Sequence, residues 1–376
     1  MVKIQFYLLD INYENDKNGK AIIQLFGKTK DNREVCVLDK NFEPYFYAFP
    51  KEIDLNKYKE KVLNCGNERV YVEKVEIVDV KYLDKDYKAL KVIVNNPASV
   101  NEIKRIVKDM SETLDTKEID IPFYKRYLID KKFIPLALFN VEGSLIEKKE
   151  FDLCIEADSI EQNEEFFSNP KILAFDIEAY AHEKRYPIEE RDPIIMIAFA
   201  GNDGYKKVLT WKKFSKAKDY VEFLNDEIEL LEKFKTIIKN YSPDYLVGYF
   251  TDGFDFPYIE KRCRKYNINF EIKNRPIKVS KRLSSSSARI KGLVHLDIFK
   301  FIRGNMGNAL KVDSFDLNTI AYELLKERKR EMEIEDIGIV WDSGKDEISN
   351  FVEYNLQDAV LTLKLAEKIL PNIEAL

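Results

Sequence analysis

The sequence predicts two domains of different class: an α+β domain over residues 1–130, then an α/β domain with a mixed central sheet over residues 169–365. Three observations carry this expectation. The first hundred residues hold short β-rich runs with only two helical patterns among them. From Lys171 onward, strand-like apolar runs are followed by long amphipathic stretches. A chain of 376 residues is also long enough for two or three separate cores.

The first domain reads as a β-meander through Ile4, Phe6 and Leu8, Ala21 to Phe26, Val35 to Leu38 and Tyr45 to Phe49. Asp16-Lys17-Asn18-Gly19 and Lys30-Asp31-Asn32 are turn-like breaks between them. Asp54 caps a helix that runs to about Asn64 and stops at Gly66. Strands near Val70 to Val80 and Leu90 to Val94 follow. Ser99-Val100-Asn101-Glu102 fits a capping box opening a helix with Ile103, Ile106 and Val107 on one face. Residues 131–168 read as a strand-rich connector, with the acidic run Asp158 to Glu165 as an exposed loop.

In the second domain, strands are expected at Ile172 to Ile177, Ile194 to Ala200 and Lys207 to Thr210. A helix over Asp226 to Lys239, a strand over Tyr245 to Tyr249 and a helix from about Pro257 come next. A last helix spans about Ile348 to Ile369, docked by Val352, Leu356, Val360 and Leu363.

Composition narrows the chemistry. No apolar run approaches the ~20 residues of a membrane span, and no secretory leader is recognisable, so a cytoplasmic protein is expected. Cys36, Cys65, Cys154 and Cys263 form no C-x-x-C pair, which argues against a zinc ribbon or a disulfide framework. With only His182 and His295, a histidine-based site has little to draw on. A net charge of −5 disfavours a generic nucleic-acid coat but not a nucleic-acid enzyme. Lys273, Arg275, Lys278, Lys281, Arg282, Arg289 and Lys291 occur without an intervening acid, around a tip at Ser284 to Ser287. This is either a solvated basic hairpin or a phosphate contact.

Carboxylates carry the remaining signal. In Lys171 to Tyr180, Asp176 and Glu178 are two apart on a strand and so share a face. Two acids on one buried face repel and lose hydration unless a cation compensates them; the bland alternative is a strand end open to water. Asp255 precedes the helix begun by Pro257, where it can cap the helix or act as a ligand. Tyr354 and Asp358 are four apart and share a helix face.

Together these segments, D-x-E, then F-D, then Y-x-x-x-D, resemble the three motifs of the DnaQ-like 3′–5′ proofreading exonucleases. Ala174 to Glu178, Phe254 to Tyr258 and Gly292 to Asp297 are similar to archaeal family-B DNA polymerases, along nearly the whole chain. The resemblance implies a ribonuclease-H-like exonuclease domain behind an α+β N-terminal domain, with residues 366–376 starting a return segment toward the N-terminal domain and palm. It implies metal-dependent 3′–5′ hydrolysis of single-stranded DNA, with two Mg²⁺ or Mn²⁺ ions roughly 3.5–4 Å apart. Asp176, Glu178 and Asp358 would be direct ligands, Asp255 a ligand to the second ion directly or through water, and Tyr354 the group orienting the attacking water. Phe250, Phe254, Lys278, Lys281, Arg282 and Arg289 would contact DNA. Two departures stand out: Phe250 replaces an asparagine usual in the family, and Ala179 a threonine.

The same resemblance implies a template-uracil pocket in the first domain, at Tyr13, Pro44, Tyr45, Pro97, Val100, Ile121, Pro122, Phe123 and Arg126. A snug apolar pocket accepts uracil and excludes thymine by its methyl group, once the base is flipped from its strand. No palm motif of the S-L-Y-P-S-I or D-T-D kind occurs, so the chain is not expected to polymerise DNA. Its expected partners are single-stranded and primer-template DNA, and a separate polymerase chain or sliding clamp. It is expected to be a monomer, away from membranes and associated with the nucleoid. The rival reading is a non-catalytic template-uracil or DNA-binding module, or a subunit of a split polymerase.

Overall fold

A computed structural model describes the chain except for residues 53, 182–184, 283–284, 329–333, 344–346 and 375–376. His182 and Ser284 therefore lie outside the described residues, as does the side chain of Arg282. The chain divides into two units, Met1–Phe167 and Ser168–Leu376.

In the first unit, β1 (Val2–Asn15), β2 (Ala21–Lys28) and β3 (Glu34–Asp39) form antiparallel neighbours, with β2 and β3 buried along their whole length. The chain then leaves for β4 (Tyr45–Pro50), α1 (Leu55–Leu63), β5 (Val72–Tyr82), β6 (Lys85–Val94), α2 (Ser99–Lys108), β7 (Thr113–Lys117) and α3 (Phe123–Lys131). It returns through β8 (Ala137–Leu145) and β9 (Leu153–Phe166), and the order β1-β2-β3-β9-β8 closes into a barrel. Closure removes the unpaired strand edges that would otherwise invite association. Phe6, Leu25, Val37, Phe139 and Ile155 fill it, with Phe123 and Tyr127 of α3 packed into the same core.

Three local expectations change here. The fourth strand of the expected meander belongs to a second sheet, β5-β6-β4-β7, whose core is covered by Val62 of α1 and by Ile103 and Val107 of α2. The capping box at Ser99 does not form: α2 is capped at Ala98, and Ser99 N–H donates to Asn96 Oδ1 instead (3.1 Å). The acidic run Asp158 to Glu165 is not a loop but the outer half of β9, with its acids facing water. Gly143 marks a bulge between β8 and β9, where a Cβ would lie 2.1 Å from Glu156 O.

The second unit is built on a six-stranded mixed sheet ordered β13-β12-β11-β10-β14-β18. It contains β10 (Ile172–Ala179), β11 (Ile194–Gly201), β12 (Lys206–Thr210), β13 (Val221–Phe223), α4 (Glu227–Tyr241), β14 (Tyr245–Gly248) and α5 (Asp255–Lys265). The β15 (Glu271–Ile272), β16 (Arg275–Arg282) and β17 (Ser285–Ile290) strands form a small separate sheet, followed by β18 (Val294–Asp297). The chain ends in α6 (Ile298–Phe301), a π-helical turn over Ile302–Met306, α7 (Leu317–Leu325), α8 (Ile334–Ser343) and α9 (Ile348–Glu374). No described helix is long and apolar enough to cross a membrane.

Period-two alternation splits β10 between two cores. Leu173, Phe175 and Ile177 face α4 and α5, while Ile172 and Ala174 face α9. Asp176 and Glu178 continue the α9 side.

One buried ion pair ties the α4 side together. Glu227, at the start of α4, accepts from Arg262 Nε and Nη2 at 2.7 and 2.5 Å, from Ile194 N–H at 2.7 Å and from Tyr266 OH at 2.8 Å. Both charged side chains are fully enclosed. Glu227→Ala would strand the guanidinium, so we expect urea denaturation to show a loss of about 3–5 kcal/mol. A loss below about 1 kcal/mol would refute this account of the pair.

Candidate active site

Three carboxylates converge in the second unit. Asp176 and Glu178 of β10 and Asp358 of α9 each offer an oxygen within 4.8 Å of the others. β10 is the central strand that makes this possible. It pairs antiparallel with β11, Asp176 opposite Ala198, and parallel with β14, Ala174 opposite Val247. Asp176 and Glu178 are half-buried, and Asp358 is 6% exposed. Hard oxygen donors this close repel one another without a cation and suit Mg²⁺ or Mn²⁺ rather than a softer ion.

Asn355, which the motif reading passes over, lies within this group. Its Nδ2 donates to Asp176 Oδ2 (2.8 Å), and the side chain is wholly buried. Its signal was present in the sequence. Phe351, Asn355, Ala359 and Thr362 recur at helical spacing on the buried side of α9, and a polar group there needs a partner. Tyr354 also sits on α9, one turn before Asp358, with its ring stacked near Phe351 (6.3 Å between centroids).

Asp255 is placed differently. It is the first residue of α5 rather than its cap, and its Oδ1 accepts from Ile177 N–H (3.2 Å), between the two acids of β10. It lies outside the 4.8 Å group. Enclosure pushes its carboxyl up to about 8, because burial penalises the charged form.

The loop between β14 and α5 is fixed by a second polar cluster. Asp297, at the end of β18, accepts from Phe250 N–H (3.1 Å), Lys300 N–H (3.1 Å) and Asp252 N–H (2.9 Å). Asp252 accepts from Ala288 N–H (2.6 Å) and Lys300 Nζ (3.0 Å). His295 is enclosed beneath them, and desolvation holds its pKa below the ordinary imidazole value. Its Nδ1 lies 3.3 Å from Ala288 O and so must carry the hydrogen, which leaves Nε2 to accept from the Thr251 hydroxyl (2.9 Å).

Among the other predicted contacts, Phe250 is exposed and Phe254 half-buried, tilted against Tyr258 at 5.3 Å. Lys278, Lys281 and Arg289 are exposed on the β16–β17 hairpin, with Lys278 and Arg289 directly opposite each other. Arg275 is enclosed, its Nε directed at Ile272 O, and offers no surface charge.

In the first unit the predicted pocket positions make the following contacts. Tyr13 meets Phe123 edge to face at 5.3 Å. Tyr45 donates to Asp130 (2.6 Å), with the Arg126 guanidinium 5.0 Å from its ring centre. Pro44 O accepts from Val94 N–H, Pro97 O from Val100 N–H, and Val100 packs on the core under α2. Ile121 is half-buried beside Pro122, which precedes α3.

Comparison with known proteins identifies the class. Residues 114–320 match the DNA polymerase family B exonuclease domain, and the chain belongs to that family. It is 30% identical over 371 residues to the DNA polymerase of Thermococcus kodakarensis, covering 97% of this chain and 20% of that protein. It is 30% identical over 369 residues to DNA polymerase 1 of Pyrococcus abyssi, covering 97% of this chain and 42% of that one. The family B DNA polymerase structure from Pyrobaculum calidifontis superposes with a TM-score of 0.78 at 25% identity, over 99% of this chain and 46% of that one. The chain thus spans less than half the length of these relatives, and its exonuclease domain is ribonuclease-H-like.

The raised carboxyl of Asp255 makes a signed prediction for metal-free protein. An unfolded aspartate titrates near ~3.9, below the folded value of about 8. Folding stability attributable to Asp255 is therefore complete below the unfolded value and declines as pH rises through the folded one. Denaturant titrations in EDTA should show stability falling between pH 5.5 and 8.5, and Asp255→Asn should remove most of that fall. Equal declines in both proteins would reject the assignment.

Proposed function

We propose that this chain is the N-terminal portion of a family-B DNA polymerase and hydrolyses single-stranded DNA from its 3′ end, releasing nucleoside monophosphates. The observation that carries this reading is the convergence of Asp176, Glu178 and Asp358 in a domain of the exonuclease family. Those three carboxylates would hold two divalent ions, Mg²⁺ or Mn²⁺, with Asp255 reaching the second directly or through water. When bound, the ions neutralise the scissile phosphate and favour hydroxide over water as nucleophile.

The chain's own residues supply the rest. Asn355 occupies one oxygen of Asp176 and so fixes the orientation of that carboxylate. Tyr354 is positioned on the same helix as Asp358 to orient the attacking water through its hydroxyl. Lys278, Lys281, Arg282 and Arg289 attract the strand by charge, and Phe254 contacts it near the acids. Ala179 takes the place of a threonine hydroxyl close to the terminal nucleotide. Polymerisation is assigned to no part of this chain, which would work with a separate polymerase segment or chain, or with a sliding clamp. We place it as a monomer in the cytoplasm, at the nucleoid, on single-stranded and primer-template DNA.

The test is digestion of 5′-labelled single-stranded DNA with Mg²⁺. A ladder shortening from the 3′ end is expected, and it should disappear in Asp176→Ala and with EDTA. No ladder from the unaltered chain, even with Mn²⁺, would replace this reading with a non-catalytic DNA-binding module or a subunit of a split polymerase.

We also propose that the first unit reads template uracil ahead of synthesis. The aromatic contact of Tyr13 with Phe123 and the Tyr45–Arg126 pair support this, since aromatic side chains are among the groups that hold a flipped base. Val100→Gln should abolish the preference for uracil-containing over thymine-containing template in a binding competition. An undiminished preference would remove the pocket.

A further inference from the structure

We propose that Phe250, seated on Phe299, is a stacking surface for an unpaired base of the strand that enters the acidic site; this rests on the nuclease reading above. The placement follows from strand register. Ala174 of β10 faces Val247 of β14, so Asp176 lies level with Tyr249, and Phe250 is the next residue as the chain leaves the sheet. The far end of the loop is Asp255, which is bonded to Ile177 N–H beside the same acids.

The loop buries its polar side chains and leaves this ring in view, beside exposed Gly253 and half-buried Phe254. Thr251 is 0%, Asp252 7% and Asp255 3% exposed, whereas Phe250 is 47% exposed. Its backbone is left-handed, φ +65°, a conformation unfavourable for a bulky side chain and more accessible to asparagine. The hydrogen bond from Phe250 N–H to Asp297 holds it there. Strain maintained to present an apolar ring to solvent is found where the ring has work to do.

The seat of the ring is specific. Phe299 meets it edge to face at 5.0 Å and 78°. Gly253 lies directly under it: a Cβ there would come within 2.3 Å of the Phe250 ring. On Phe299, the guanidinium of the exposed Arg303 lies 5.7 Å from the ring centre, carried by the π-helical turn. A fixed aromatic face with a cation one ring away suits a base and its phosphate together. Inside a duplex both faces of a base are covered by its stacked neighbours, so the ligand is a single-stranded nucleotide of any sequence.

The test reads binding without hydrolysis. In an Asp176→Ala background with EDTA, fluorescence anisotropy would follow a 5′-fluorescein oligothymidylate and a blunt duplex of equal length. Phe250→Ala should weaken single-strand binding roughly tenfold, Phe250→Leu should weaken it similarly, and Phe250→Trp should retain it. Phe250→Asn separates binding from folding: it relieves the left-handed strain, so the thermal midpoint should rise while single-strand affinity falls. A leucine variant that binds like phenylalanine, or an asparagine variant that is more stable with undiminished affinity, overturns the proposal. So does an equal loss on single strand and duplex. Unchanged DNA affinity together with altered self-association would assign the ring to a protein contact instead. If the unaltered chain yields no 3′ ladder, the nuclease reading fails while the binding result stands. If Phe250→Ala binds like the unaltered ring, the stacking surface fails whether or not a ladder is seen.

Discussion

Mutual repulsion among Asp176, Glu178 and Asp358 is the constraint around which the second unit is arranged. Partly dehydrated carboxylates with oxygens within 4.8 Å of one another would separate if the backbone allowed it. It does not allow it. Asp176 and Glu178 ride on a strand paired on both sides, and Asp358 on a helix whose buried face is part of the largest core. Separation would require peeling α9 from β10, at the cost of exposing Phe351, Leu365 and Ala366 among others. The apolar cores on the two faces of the sheet thus hold together a charge arrangement that is unfavourable by itself, and they hold it open to a cation.

The same unit contains a second group of buried acids with the opposite solution. Asp252 and Asp297 receive backbone N–H groups and the Lys300 ammonium, so their lone pairs are already engaged. Such a cluster fixes a loop; it has no need of an ion. The two groups show how neighbouring carboxylates differ in setting: backbone N–H groups and an ammonium meet Asp252 and Asp297, whereas Asp176, which Asn355 bonds, also lies against two other acids. Asp255 belongs to neither. One backbone donor reaches it across strands, and its enclosure favours the neutral form.

Much of the exonuclease unit was legible because its signals are local. The two-residue spacing of Asp176 and Glu178 and the four-residue spacing of Tyr354 and Asp358 fix shared faces once strand and helix are assigned. What escaped is what depends on distant partners. The acidic stretch of β9 looks like a loop until β8 is seen paired along it, because solvent-facing acids on a barrel strand carry no apolar alternation. Ser99 satisfies the pattern of a cap, but Asn96 reaches the helix start first. Asn355 is readable only as a buried polar residue in want of a partner; that the partner is Asp176, 179 residues earlier, comes from the fold.

Phe250 joins these themes. A left-handed position normally selects glycine or asparagine, so a phenylalanine there contradicts local propensity. Such contradictions persist when surrounding structure over-determines the backbone, and here Asp297 anchors the amide while Gly253 vacates the space the ring needs. Each of those residues has its own reason in the fold: Asp297 caps α6, and Gly253 closes the turn back onto Phe250 O. The strain is therefore confined to one residue and carried by a network that would exist for the loop's sake. That leaves the outward ring free to be set by what it meets, and not by the stability of the domain.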